Sequence, residues 1–155
     1  MSNEPPLPTE RDFNPWNDPL DGDTAWQHFG GLTLDEAYAR FCEHPTYYQE
    51  DFMFMGGIAF AYYFTVIEKY IRNAPDIDPH GGDHEAWILA KYIQNQFSGD
   101  NLFHVRHLRE RVVMLSTFVH GNTRRFGDDD AERDRVADAW SQLVAHVAAV
   151  VLPQP

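Results

Sequence analysis

Between Asp51 and Glu68 the chain reads DFMFMGGIAFAYYFTVIE, with sixteen uncharged residues between its acidic ends. Phe60, Tyr63, Phe64, Ile67, Tyr70 and Ile71 step by three and four, while Ala59, Tyr62 and Val66 form a second apolar row. That spacing predicts a helix over 58–72 that is buried on two sides. The glycine pair Gly56-Gly57 also suits the tight turn of a β-hairpin, because glycine accepts the positive φ angles such turns demand. The helical stripe outweighs this rival, and 47–55 is expected as a short helix or irregular arm ending at the glycines. The run falls short of the roughly 20 apolar residues needed to cross a bilayer, so no membrane span is expected.

The remaining pattern is helical as well. Thr33-Leu34-Asp35-Glu36 is a capping box, opening a helix over 34–43 whose apolar face is Leu34, Ala37, Tyr38 and Phe41 and which Pro45 ends. Asp83 is placed to cap a second helix with Leu89, Ala90, Ile93 and Phe97 on one face and Gly99 as its stop. After Asp100, the row Val105, Leu108, Val112, Leu115 and Val119 predicts one continuous helix up to Gly121. Asp128-Asp129-Asp130 complements the positive end of a last helix through Val136, Trp140, Leu143, Val147 and Val150. The expected fold is therefore all-α: a single-domain bundle of five to six helices around a buried aromatic central helix.

Residues 1–23 hold five prolines and six acids without either period, and read as a Pro/acid-rich tail or wrap that Phe13 and Trp16 could pin down. The helical domain is expected over 24–152, with a C-terminal tail at 153–155. The opening MSNEPPLPTERDF has no basic start followed by an apolar stretch, so a cytoplasmic location is expected. Cys42, the single cysteine, has no internal disulfide partner.

Charge narrows the choice of partner. Against 12 basic residues stand 24 acidic ones, a net of -12, and the whole excess lies within residues 1–100, which carry 17 acids and 5 bases. Such a field repels nucleic acid and attracts a cationic protein.

Motifs for catalysis are scarce. None of Ser2, Ser98, Ser116 and Ser141 stands in a G-x-S-x-G context, and no G-x-x-x-x-G-K phosphate loop occurs. His80 and His84, with Asp76, Asp78 and Asp83 nearby, and His104 and His107 at a spacing that puts both imidazoles on one helix face, could supply metal ligands. They form the alternative reading, a small metal-dependent hydrolase, although the spacing matches no zinc signature. The leading reading needs no cofactor. Glu50-Asp51 is expected as an exposed turn.

The stretch Asp51 to Met55, followed by Ala59, Phe60, Tyr62 and Tyr63, resembles an uncharacterised helical bacterial family with a Phe-Leu turn and then Ala-Phe-x-Tyr-Tyr-Leu-Pro. The likeness extends to Leu102–Phe118 and covers about half the chain. Phe64-Thr65 stands where that family has Leu-Pro, and the glutamine of its later helix is absent. The resemblance implies an all-helical fold, bacterial origin and a place among small immunity or antitoxin-like proteins. It carries over no functional residue.

Charge and resemblance together lead to one expectation: an acidic binding module that neutralises a basic toxin or nuclease domain. Asp21, Asp23, Asp76, Asp78, Asp83 and Glu85 are the expected contact residues, presented on loops, with Glu50 and Asp51 as weaker choices. Trp16, Trp26, Tyr47 and Tyr48 are candidate aromatic anchors. The amphipathic helices also leave room for a homodimer.

Overall fold

Thr33 opens its helix as the capping box requires: its hydroxyl accepts from the Glu36 N–H at 3.2 Å, and the Glu36 carboxylate accepts from the Thr33 N–H at 3.0 Å. A computed structural model describes residues 5–77 and 86–151, with the backbone alone for 74–77. In chain order the helices are α1 (Glu10–Phe13), α2 (Asp21–Phe29), α3 (Leu34–Glu43), α4 (Pro45–Tyr48), α5 (Asp51–Phe54), α6 (Gly57–Ile77), α7 (Ala86–Gln96), α8 (Leu102–Val105), α9 (Arg109–His120) and α10 (Asp130–Val150). Short 3-10 turns join some of them, and no strand occurs among the described residues.

The all-α expectation therefore holds, but the ten α-helical segments among the described residues exceed the expected five to six. The surplus consists of single turns. Pro45 does not merely end α3; it stands at the first position of α4, where its fixed φ suits a helix start. The expected arm at 47–55 becomes the rest of α4 followed by α5. The single helix expected after Asp100 is instead α8, a 3-10 turn over Arg106–Leu108, and α9. Three residues per turn bring positions i and i+3 into line, which lets Val105 and Leu108 both stay buried where the helix changes.

No hairpin forms at the glycine pair. Gly56 donates to the Phe13 carbonyl at 2.8 Å, and a Cβ at Gly56 would lie 2.3 Å from the Asp12 carbonyl oxygen. The glycine is needed because α1 crosses so closely, and the chain then enters α6 at Gly57. All of Phe60, Tyr63, Phe64, Ile67, Tyr70 and Ile71 are buried, with Ala59 and Val66 buried on the second row. α6 is buried on two sides because it packs against α1, α3, α7, α8 and α9, while α10 closes over α7 and α9.

Helical structure begins before Thr24. Phe13 in α1 is fully buried, edge-on to Trp26 at 5.4 Å, whereas Trp16 remains 49% exposed. Two polar side chains in the core serve as ties. The Tyr63 hydroxyl lies 2.7 Å from the Leu32 carbonyl and 3.1 Å from that of Phe29, and Gln96 Nε2 donates to the carbonyls of Phe52 and Met55. The Tyr63 hydroxyl thereby ties α6 to the end of α2 and the turn that follows it, and Gln96 gives the carbonyls at the end of α5 a donor inside the core.

Candidate functional site

The corner formed by α2, α4 and α5 holds the most unusual group of polar side chains. From Pro45 to Phe54 the chain keeps helical geometry through Gln49 and Glu50, so Tyr47 and Asp51 fall four residues apart on one face. α2 packs across α5 and brings His28 onto that face. His28 Nδ1 is 2.6 Å from Asp51 Oδ2, and Asp51 is only 3% exposed. The Arg40 guanidinium donates to the His28 carbonyl oxygen and helps to hold the residue in place.

Asp51 was expected in an exposed turn; it is buried instead, because its helix is short and lies against α2. Burial pushes its carboxyl up to about 6, the hydrogen bond and charge of His28 oppose this, and Glu50 adds a smaller upward push. When Asp51 is ionised it accepts from His28 Nδ1–H, and in a neutral imidazole Nε2 is then the acceptor on the Tyr47 side. The Tyr47 hydroxyl lies 3.5 Å from Nε2, at the outer limit of a hydrogen bond. Buried carboxylate, imidazole and exposed phenol thus form a chain from core to solvent. A carboxylate that orients an imidazole is half of a general-base arrangement, but the group facing Nε2 here is a phenol. What the chain does physically is fix the position of Tyr47.

The expected contact residues separate. Asp21 is exposed and Asp23 half-buried, both in the first turn of α2 rather than on a loop, where they complement the helix dipole. Asp23 also accepts from Gln27 Nε2 at 2.7 Å. His28 lies at the other end of α2, about 10 Å away along the axis. Asp76 falls in the last turn of α6, and its side chain lies outside the described residues, as do Asp78, Asp83 and Glu85.

Among the alternative metal ligands, His80 and His84 also lie outside the described residues. His104 and His107 do not share a regular helix: His104 is half-buried in α8, while His107 is exposed in the 3-10 turn. His104 lines a cleft of about 230 Å3 with Trp16, Ile58, Asn101 and Arg11. Among the described residues no three His, Cys, Asp or Glu side chains converge as metal ligands do.

Of the four candidate aromatic anchors, Trp26 and Tyr48 are partly buried against the core, whereas Tyr47 is 56% exposed and Trp16 only slightly less so. His28 was missed by sequence reasoning. The i, i+4 pair Tyr47 and Asp51 was visible, but nothing in the sequence paired Asp51 with a histidine 23 positions earlier. No family model, curated protein or solved structure matches the chain. No helix among the described residues is long and apolar enough to cross a membrane.

Proposed function

We propose that the protein is an acidic binding module of the immunity or antitoxin type, which neutralises a basic protein domain by covering its cationic surface. The observation that carries this reading is the charge of one region. Residues 10–54, which span α1 to α5, contain ten acidic side chains and two arginines. Arg40 is half-buried and turned to the His28 carbonyl, so it offsets little of that charge at the surface. Glu10, Asp21, Asp35, Glu36, Glu43 and Glu50 are all exposed. A surface of one sign on a rigid helical support speeds encounter with a partner of the opposite sign, by roughly 10 to 10³-fold at low salt.

The test is co-expression and mixing with the product of the neighbouring gene that carries a basic domain. Complex formation should weaken steeply as salt rises, and replacing Asp21 and Asp23 with lysine should slow association. A complex indifferent to both salt and these substitutions, or no complex with a basic neighbour, would defeat the proposal.

A further inference from the structure

The acidic region is not uniform, and its most exposed aromatic is Tyr47. The ring stands edge-on to Tyr48 at 5.0 Å and leans on His28 at 5.3 Å and His44 at 5.8 Å, so it is held on several sides yet open to solvent. Glu50 follows three residues later on the same helical face and is exposed, and Glu43 is exposed at the end of α3. Elsewhere the chain lays its own cations over its rings. Lys69 stands 4.4 Å over Tyr38, Arg106 4.7 Å over Phe103, and Arg135 4.6 Å over Trp87. No lysine or arginine among the described residues lies over Tyr47, whose ring contacts are His28, His44 and Tyr48, and Arg40, the arginine nearest in sequence, is turned to the His28 carbonyl.

We infer that Tyr47 is the anchor of the acidic surface and receives an arginine of the partner, its guanidinium stacked on the ring and paired with Glu50. This rests on the binding role proposed above and names the chemistry of its central contact. Arginine fits better than lysine because a planar guanidinium can stack on a phenol and still direct N–H groups at a carboxylate beside it. A ring already held by its neighbours also loses little freedom on binding. His28 and Asp51 are positioning residues: they hold the side of the ring that the partner does not cover.

Binding of octa-arginine and octa-lysine peptides to the full chain at low ionic strength tests the inference. Wild type should bind octa-arginine more tightly. Tyr47→Ala should weaken octa-arginine by about tenfold, the scale of one stacked cation, and octa-lysine by much less. Glu50→Gln should weaken octa-arginine by a few-fold while Tyr47 ring resonances still shift on titration. Asp21→Lys with Asp23→Lys should lower both affinities alike, because those residues act through the field. If Tyr47→Ala changes both peptides equally, or neither, the anchor is wrong while the acidic binding role stands. If wild type binds neither peptide, that role fails, and the anchor fails with it. Because Tyr47 lies at the surface, its variant should keep the wild-type circular dichroism spectrum, which makes the comparison direct.

Discussion

The two ends of the molecule are built differently. In the second half, α7, α9 and α10 are 11, 12 and 21 residues long and meet through apolar rows: Leu89 and Ile93, Val112, Leu115 and Val119, and Val136, Trp140, Leu143 and Val147. In the first, α1, α4 and α5 have only four residues each, too few to be stable alone. α5 is tied by side chains of other helices, Gln96 to the Phe52 and Met55 carbonyls and His28 to Asp51, and α1 by the Gly56 N–H on the Phe13 carbonyl. α2 is tied in the same way, by Tyr63 to Phe29. Residues 101–155 carry seven acids and seven bases, while the tied half carries the excess acid. A region made of short tied pieces can place individual side chains where a long helix would impose a regular stripe. That is how a carboxylate comes to lie beneath an exposed tyrosine.

The sharpest break in this contrast should come from Trp140→Ala. The indole is fully buried and its N–H donates to the Ala86 carbonyl at 3.0 Å, so the change leaves a cavity and removes the tie from α10 to the start of α7. A loss of about 3–5 kcal/mol in urea unfolding is expected. A loss below about 1 kcal/mol would show that the α7–α10 interface is not the apolar foundation described.

Tyr63→Phe removes no packing volume from the ring, but it leaves the Phe29 and Leu32 carbonyls without their shared donor. The expected cost is about 1–3 kcal/mol. Hydrogen exchange should quicken in α2 and α3 before it does in α10. Uniform quickening would mean that the two halves are one cooperative unit and that the ties are not local.

Asp51 connects the contrast to pH. Its folded pKa of about 6 lies above the ordinary value of 3.8, so the folded chain holds this proton more tightly than the unfolded one does. The stability gained from this is complete below 3.8 and is lost as pH rises through about 6. Asp51→Asn should remove that dependence, changing the slope of stability between pH 4 and 6 by up to about 1.4 kcal/mol per pH unit. Parallel profiles for wild type and variant would contradict the assignment of a buried titrating carboxylate.

The smallest effect is expected at Asp35. Its side chain is 96% exposed and its carboxylate stands 3.9 Å from the Lys69 ammonium. Asp35→Asn should change stability by less than about 0.5 kcal/mol while making the acidic face less attractive to a cationic partner. A larger loss of stability would mean that the surface charges of this half also hold it together.

Periodicity alone located the long helices, because each must turn one apolar stripe inward and the 3.6-residue repeat of that stripe is written in the order of residues. Thr33 acts through a group three residues away, so the cap of α3 was equally legible, and the acidic triplet marked where α10 begins, although which of its three residues caps the helix was not written there. The imbalance of acids needed only counting. Tertiary contact decided the rest. Asp51 is buried because α2, from a distant part of the chain, lies across it; the 3-10 turn after Val105 follows from what Val105 and Leu108 must both face; and α1 is ordered because Phe13 finds a place in the core beside Trp26. Short segments have too few residues to carry a periodic signal, and a pairing 23 positions apart leaves no local trace. The dyad beneath Tyr47 therefore came into view only when the chain was folded.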